Sequence, residues 1–187
     1  MTSPARILGL SGSLRDASTN TALLRYLGTC LPDGVVLDIY DYGKVPLFNG
    51  DLEPPAAVEA LKAAIGAADG VLIATPEYNY SVPGVLKNAI DWASRPAYRS
   101  VFMGKPTGVV SASASFVGGA RAQQHLKTIL LGMGTPVYAA PELLVGAGHT
   151  KVTAGVLTDE PTQGYARAFA VGFAAWVTGA HESANRS

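Results

Sequence analysis

Short apolar runs alternate with longer amphipathic stretches along this chain of 187 residues. The apolar runs have the length of buried strands, and they predict strands at residues 7–10, 35–40, 70–74, 107–111 and in the region 136–145. Apolar residues at helical spacing predict helices at residues 18–31, 55–67, 83–94, 119–131 and 162–179. Strands that alternate with helices form parallel sheets covered on both faces. The chain is therefore predicted to be an α/β protein with a doubly wound sheet.

Length and composition narrow this picture to one domain, predicted over residues 1–180, with residues 181–187 as a flexible polar tail. Only 15% of the residues are charged, which fits a sheet covered on both faces or a subunit that buries an oligomer interface. The formal net charge is zero, so nothing favours nucleic acid or an anionic membrane as partner.

The chain's one cysteine, Cys30, cannot form an internal disulfide, so a reducing compartment fits. No apolar run approaches the length of a membrane span, and the N-terminal residues do not resemble a signal peptide. A cytoplasmic protein is expected.

The segment GLSGSLRDASTN at residues 9–20 joins the first strand to the first helix through small hydroxyl residues and glycine. Gly12 is expected to adopt backbone angles closed to other residues, so that successive N–H groups and the helix N-terminus face one anion. The side-chain donors suit a terminal phosphate monoester and are Ser11, Ser13, Arg15, Ser18 and Asn20. The alternative is a plain loop with a helix cap.

Two further loops follow strands at the same predicted edge of the sheet, where ligands of such folds bind. In the segment TPEYNYSVPG at residues 75–84, Tyr78 and the backbone around Asn79 offer an aromatic plate and polar groups for a flat heteroaromatic ring. The alternative is that these tyrosines are rim residues of the core. In the loop at residues 111–119, Gly118 and Gly119 either permit close approach of a ligand or simply let the fourth helix begin.

Taken together, these segments resemble the NADPH-dependent FMN reductases, a flavodoxin-like group that includes chromate, quinone and azo reductases. The likeness rests on SGSLR at residues 11–15, on residues 75–96, on GGARAQQHL at residues 118–126 and on PLFN at residues 46–49. It covers about the first 145 residues. It implies one flavodoxin-like, FMN-binding domain whose five-stranded parallel sheet has the order 2-1-3-4-5.

The resemblance also implies roles for individual residues. Ser11, Ser13, Arg15, Ser18 and Asn20 match positions that hold the FMN phosphate, and Pro76, Glu77, Tyr78 and Asn79 match those that line the flavin ring and ribityl chain. In the third loop Ser113 matches a ligand position, and Gly118 is a further candidate for cofactor contact. Ser115 stands where relatives often have glycine, with Phe116 next to it.

The implied function is hydride transfer from NADPH or NADH to FMN and then to a small acceptor, such as a quinone, an azo compound, free flavin or a metal oxyanion. No catalytic triad, metal-ligand cluster or pair of carboxylates is evident, which fits a cofactor that carries the chemistry. The alternatives are a flavodoxin-type electron carrier and a flavin-binding redox sensor. Electron carriers usually present a strongly acidic surface, so the neutral charge favours the enzyme.

The resemblance further implies a homodimer or homotetramer, in which the third helix packs against a second subunit. Trp92 on that helix suits such a contact, and a place in the core of its own chain is the equally weighted alternative. Asp91 and Arg95 have the spacing of an ion pair on the same helix. Arg121 is expected to meet a nucleotide phosphate or a neighbouring subunit.

Overall fold

In a computed structural model, which describes residues 3–184, five parallel strands form one sheet in the order β2-β1-β3-β4-β5. The strands are β1 (Ala5–Ser11), β2 (Val35–Ile39), β3 (Gly70–Thr75), β4 (Thr107–Ala112) and β5 (Leu144–Val145). All six residues of β3 and of β4 are buried, as expected for central strands that helices cover on both faces. The predicted fold class and strand order are confirmed.

Five α-helices cover the sheet: α1 (Thr19–Thr29), α2 (Ala56–Ala67), α3 (Gly84–Ala93), α4 (Ala120–Gly132) and α5 (Glu160–Ala184). The side chains packed between the helices and the sheet form two buried layers, one on each face. Two layers form because neighbouring strand residues such as Val71 and Leu72 point to opposite faces. Leu72 packs in the layer of α1 and α5, which includes Leu24 and Phe173. Val71 packs in the layer of α2, α3 and α4.

The region of the fifth strand is less regular than the sequence predicted. Only Leu144–Val145 forms a strand there, and Val137 adds one isolated bridge to Thr107 of β4. Tyr138 still donates to the Thr107 carbonyl at 2.9 Å, and pairing with β4 resumes where the Ser111 N–H donates to the Leu143 carbonyl at 3.1 Å, so residues 139–142 leave the ladder. An unpredicted hairpin follows, formed by β6 (Val152–Thr153) and β7 (Val156–Leu157).

The last helix, α5, begins at Glu160, two residues before its predicted start. Asp159 precedes it and accepts hydrogen bonds from the Thr162 N–H at 3.0 Å and the Thr162 hydroxyl at 2.5 Å. These donors, the hydroxyl first, lower the pKa of Asp159. The helix continues to Ala184, past the predicted domain end at residue 180, and residues 185–187 of the predicted tail lie outside the described residues. Across residues 3–184, no helix has the length and apolar character that a membrane span requires.

The register of the strands decides where the loops emerge. Ser11 of β1 lies beside Ala74 of β3, and Thr75 lies beside Ser111 of β4. The loops after β1, β3 and β4 therefore leave the sheet side by side at its carboxyl edge. The order of the strands reverses between β1 and β3, which is where open α/β sheets bind ligands.

Candidate functional site

Three loops build the site: the first loop (residues 12–18), the second loop (residues 76–83) and the third loop (residues 113–119). Hydrogen bonds hold the first loop at both ends. The Gly12 N–H donates to the Ala74 carbonyl of β3 at 2.8 Å, and Ser18 caps α1 by accepting from the Thr21 N–H at 3.2 Å. Thr21 also donates from its hydroxyl to Ser11 Oγ at 2.7 Å. The ends of the loop are thus held by the sheet and the helix.

Gly12 has a different role from the expected one. Its φ is not positive, so the loop does not use the backbone freedom of glycine at this position. A Cβ added there would lie 2.9 Å from Pro76 Cδ and 3.2 Å from Thr75 Cα. Glycine is therefore required because the first and second loops approach each other closely.

The middle of the first loop has unpaired hydrogen-bond donors. Within residues 3–184, no acceptor takes the N–H groups of Leu14, Asp16 or Ala17, and the Arg15 guanidinium has no carboxylate partner. These groups lie just before the N-terminus of α1. On the side of the loop that faces the end of β2, a cavity of about 350 Å³ lies between Arg15 and Asp41. Unpaired N–H groups, a free cation and a helix N-terminus are the donor set that fits a phosphate.

Asn20 is placed differently from the loop serines. Its side chain, in a residue only 1% exposed, donates from Nδ2 to the Ala112 carbonyl and accepts from the Ala112 N–H, both at 2.9 Å. The amide therefore joins the first turn of α1 to the end of β4. Asn20 holds the first and third loops at a fixed separation.

The second loop contains a tight turn in which Tyr78 and Ser81 exchange two backbone hydrogen bonds of 3.1 Å. Asn79 and Tyr80 between them have φ values of 48° and 67°, in the left-handed region that non-glycine residues avoid. Tyr78 is 46% exposed, and its hydroxyl lies 3.5 Å from Ser13 Oγ in the first loop. The structure thus brings the aromatic and hydroxyl-rich segments together.

Glu77 forms an ion pair with Arg121 of α4. Its carboxylate lies 2.5 Å from Arg121 Nη2, and the guanidinium also stacks over Tyr80, with Cζ 4.2 Å from the ring centre. The Glu77 side chain is only 6% exposed. Arg121, which was expected to meet a nucleotide phosphate or a second subunit, is engaged inside its own chain.

The third loop ends at two glycines with left-handed backbone, Gly118 at φ 66° and Gly119 at φ 89°. A Cβ at Gly118 would lie 2.9 Å from the Leu144 carbonyl carbon, and one at Gly119 would lie 2.8 Å from Ser111 Cβ. Both clashes are with this chain's own strands, so the glycines are needed for the start of α4. Earlier in the loop, Ser113 Oγ accepts from the Ser115 N–H at 3.2 Å.

Trp92 lies in the core of its own chain. It is 2% exposed, donates from Nε1 to the Pro46 carbonyl at 2.9 Å and meets the Phe48 ring edge-on at 4.9 Å. On the same helix Asp91 was expected to pair with Arg95. It pairs instead with Lys87, whose Nζ lies 2.8 Å from Asp91 Oδ1.

Two residues that support the site were not identified from the sequence. The Tyr42 hydroxyl donates to the Ser11 carbonyl beneath the first loop. Gln123 of α4 donates from Nε2 to Ser111 Oγ and to the Leu143 carbonyl, both at 2.9 Å. Both contacts join segments far apart in sequence, so local patterns carry no signal for them. No cluster of three or more potential metal-ligating side chains occurs in the described part of the chain.

Replacement of Asn20 tests its role as a tie between loops. Asn20→Ala removes both side-chain hydrogen bonds to Ala112 and leaves the buried Ala112 C=O without its donor, and an unpaired buried group costs about 1–3 kcal/mol. We expect the free energy of unfolding of the cofactor-free protein to fall by about 2–3 kcal/mol, measured by urea denaturation. Thr19→Ala is the control, because Thr19 starts the same helix without this contact. Equal stability of the two variants would contradict the assignment.

Tyr42 predicts a pH dependence of stability. Burial, with a smaller contribution from the charge of Asp41, raises the pKa of Tyr42 above its ordinary value of 10.0. The unfolded chain ionises first as the pH rises, so this contribution is present below about pH 10 and is lost above it. Tyr42→Phe should lose about 1 kcal/mol at neutral pH, because the hydrogen bond to Ser11 is gone, and should show a shallower decline between about pH 9 and 11. Urea denaturation across this range measures both, and parallel curves would refute the effect.

Comparison with known proteins agrees with this arrangement. The family model of the NADPH-dependent FMN reductases matches residues 5–150. An NAD(P)H-dependent FMN reductase of Pseudomonas aeruginosa is 43% identical over 164 residues, covering 86% of this chain and 88% of the relative. A 2-hydroxy-1,4-benzoquinone reductase of a Burkholderia species is 39% identical over 175 residues, covering 92% and 96%.

Among solved structures, FerB, a flavoenzyme NAD(P)H:(acceptor) oxidoreductase from Paracoccus denitrificans, superimposes with a TM-score of 0.85 at 36% identity. The match covers 93% of this chain and 97% of FerB. The predicted family resemblance is confirmed: the chain belongs to the NADPH-dependent FMN reductase family.

Proposed function

We propose that this protein is an FMN-dependent NAD(P)H oxidoreductase that reduces quinones and similar small acceptors. The observation that carries the proposal is the unpaired donor set of the first loop, which adjoins the exposed Tyr78 of the second loop at the carboxyl edge of the sheet. The NADPH-dependent FMN reductase family, to which the chain belongs, and the relatives named as quinone reductases support the same reaction.

The first loop is the proposed phosphate site. Arg15 and the free N–H groups contribute most, because hydrogen bonds to a charged group are worth about 1.5–3 kcal/mol each, whereas a helix dipole adds about 0.3–1 kcal/mol. Ser13 lies next to them, and its hydroxyl accepts from the Arg15 N–H at 3.4 Å and lies 3.5 Å from the Tyr78 hydroxyl. Ser11 and Ser18 hold the loop in shape through their contacts with Thr21.

The second and third loops are the proposed ring site. Pro76 and the backbone of Tyr78 and Asn79 would hold the flavin ring, and Ser113 and Gly118 would supply further contacts from the third loop. When bound, FMN supplies the redox chemistry, taking hydride from the nicotinamide and passing reducing equivalents to the acceptor. The chain's own residues would bind the phosphate and orient the ring.

An electron carrier is the second candidate, and the net charge argues against it. Carriers dock on basic partners through a strongly acidic surface, but this chain has 14 basic and 14 acidic residues. An enzyme that meets small diffusing substrates needs no such surface.

We further propose a cytoplasmic homodimer or homotetramer that has no affinity for nucleic acid. Large apolar side chains on the surface support the oligomer, because Leu47, Tyr98 and Phe116 are 85%, 88% and 95% exposed. The balanced charge is in keeping with the lack of affinity for nucleic acid, and the single buried cysteine is in keeping with a cytoplasmic location.

Steady-state kinetics test the function. The protein loaded with FMN should oxidise NADPH or NADH rapidly when a benzoquinone is present and slowly when it is absent, with rates followed by nicotinamide absorbance. Parallel lines in double-reciprocal plots are expected for a ping-pong scheme, in which the nicotinamide leaves before the acceptor reacts. Tight FMN binding without NAD(P)H oxidation would favour a carrier or sensor instead.

Arg15→Ala isolates the phosphate contact. Because it removes a charged donor from an exposed loop, FMN affinity should fall at least about tenfold while thermal stability of the cofactor-free protein stays unchanged. Fluorescence titration of FMN measures the affinity. Arg99→Ala changes the net charge equally on another exposed loop and is the control. Unaltered FMN affinity in Arg15→Ala would show that Arg15 does not hold the phosphate.

A further inference from the structure

We propose that Glu77, Arg121 and Tyr80 form a clasp that positions the second loop for the flavin ring, so that Arg121 is a positioning residue of the reductase. The inference rests on the proposed function. It assigns Glu77 to the support of the ring site, where the family resemblance alone had suggested a lining residue.

The contact between Glu77 and Arg121 is extensive. Glu77 Oε1 accepts from Arg121 Nε at 2.6 Å and lies 2.5 Å from Nη2, while Oε2 accepts from the Arg121 backbone N–H at 3.2 Å. Both carboxylate oxygens are therefore used by one residue. Since the Glu77 side chain is 6% exposed, loss of Arg121 would leave a buried charge without its partner.

The clasp also completes the start of α4. The helix begins after Gly119, which has no side chain to cap it. Glu77 supplies the missing acceptor for the Arg121 N–H in the first turn and places a negative charge at the positive end of the helix. The second loop and α4 therefore stabilise each other.

Tyr80 is the third member of the clasp. Its left-handed backbone is costly for an aromatic residue, and the Arg121 guanidinium over its ring stabilises that conformation. Next to it, Ser81 Oγ lies 2.9 Å from Nδ1 of His125, one turn further along α4. The second loop is thus attached to α4 on both sides of Tyr78 and Asn79, the two residues proposed to meet the flavin ring.

This arrangement predicts that loosening the clasp changes the ring site more than the fold. The core layers do not include Glu77, Tyr80 or Arg121. The attachment instead controls the path of residues 78 and 79. FMN affinity and the environment of the bound ring should therefore depend on Arg121, whose guanidinium is engaged by Glu77 and Tyr80.

The test compares Arg121→Met and Arg121→Lys with Lys127→Met. Lys127 is on the same helix and pairs with Glu142 at 2.6 Å, so its replacement removes an equal charge and an ion pair that does not involve the second loop. FMN affinity is measured by fluorescence titration, the ring environment by visible circular dichroism of the bound flavin, and stability by the thermal midpoint of the cofactor-free protein.

We expect Arg121→Met to weaken FMN binding about tenfold and to change the flavin dichroism. Arg121→Lys should be intermediate, because lysine keeps the charge but lacks the planar fork that meets Glu77 and stacks on Tyr80. Lys127→Met should stay within about twofold of the wild type. The clasp is refuted if Arg121→Met binds FMN with unchanged affinity and dichroism, or if Lys127→Met is equally impaired.

Glu77→Gln, alone and combined with Arg121→Met, keeps the test decisive if Arg121→Met folds poorly. Partners in one clasp are coupled, so the double variant should lose no more FMN affinity than the worse single variant. Additive losses would overturn the proposal. A wild-type protein that takes up no FMN would contradict the proposed function, whereas a wild type that binds FMN beside unaffected variants would contradict the clasp alone.

Discussion

The site depends on the middle of the first loop, where the N–H groups of Leu14, Asp16 and Ala17 have no acceptor among residues 3–184. Buried N–H groups are almost always paired, so such a loop is stable only where it is exposed and where its flanks are firmly held. Here three hydrogen bonds hold the flanks. The Gly12 N–H donates to the Ala74 carbonyl, the Thr21 hydroxyl donates to Ser11 Oγ, and the Tyr42 hydroxyl donates to the Ser11 carbonyl. These contacts fix the two ends of the loop and leave its middle for an anion.

The parallel sheet makes this arrangement possible. Because β1, β3 and β4 are neighbours in register, their loops emerge together, and short contacts are enough to join them. Asn20 links the first loop to β4, Gly12 lets the first loop approach the second, and Arg121 links the second loop to α4. Each loop is thereby fixed by a different partner, and together the three loops form one site at the edge of the sheet.

Much of the fold was predictable because hydrophobic spacing is a local property. The central strands, the beginning of α1 next to Ser18 and the strand order followed from the pattern and the family resemblance. The fifth strand lies within its predicted region, but it occupies only Leu144–Val145, a length that the apolar run alone did not indicate. The β6–β7 hairpin was missed because its strands have only two residues each and its turn uses Ala154 in a left-handed conformation.

The residues of the candidate site were predictable, but most of their contacts were not. The loops and their hydroxyl, arginine and tyrosine residues could be recognised from composition and spacing. Their partners could not, because the contacts of Glu77 with Arg121 and of Asn20 with Ala112 join residues that only the folded sheet brings together. For the same reason, local patterns could not decide between the core and a subunit interface for Trp92.

The central claim is that the first loop grips the phosphate of the flavin cofactor. The most direct measurement is a calorimetric titration of the cofactor-free protein with FMN and with riboflavin, which has the same ring system but no phosphate. The account predicts one FMN per chain, bound at least about a hundredfold more tightly than riboflavin, because several charge-assisted hydrogen bonds are lost without the phosphate. Equal affinity for the two flavins would contradict it.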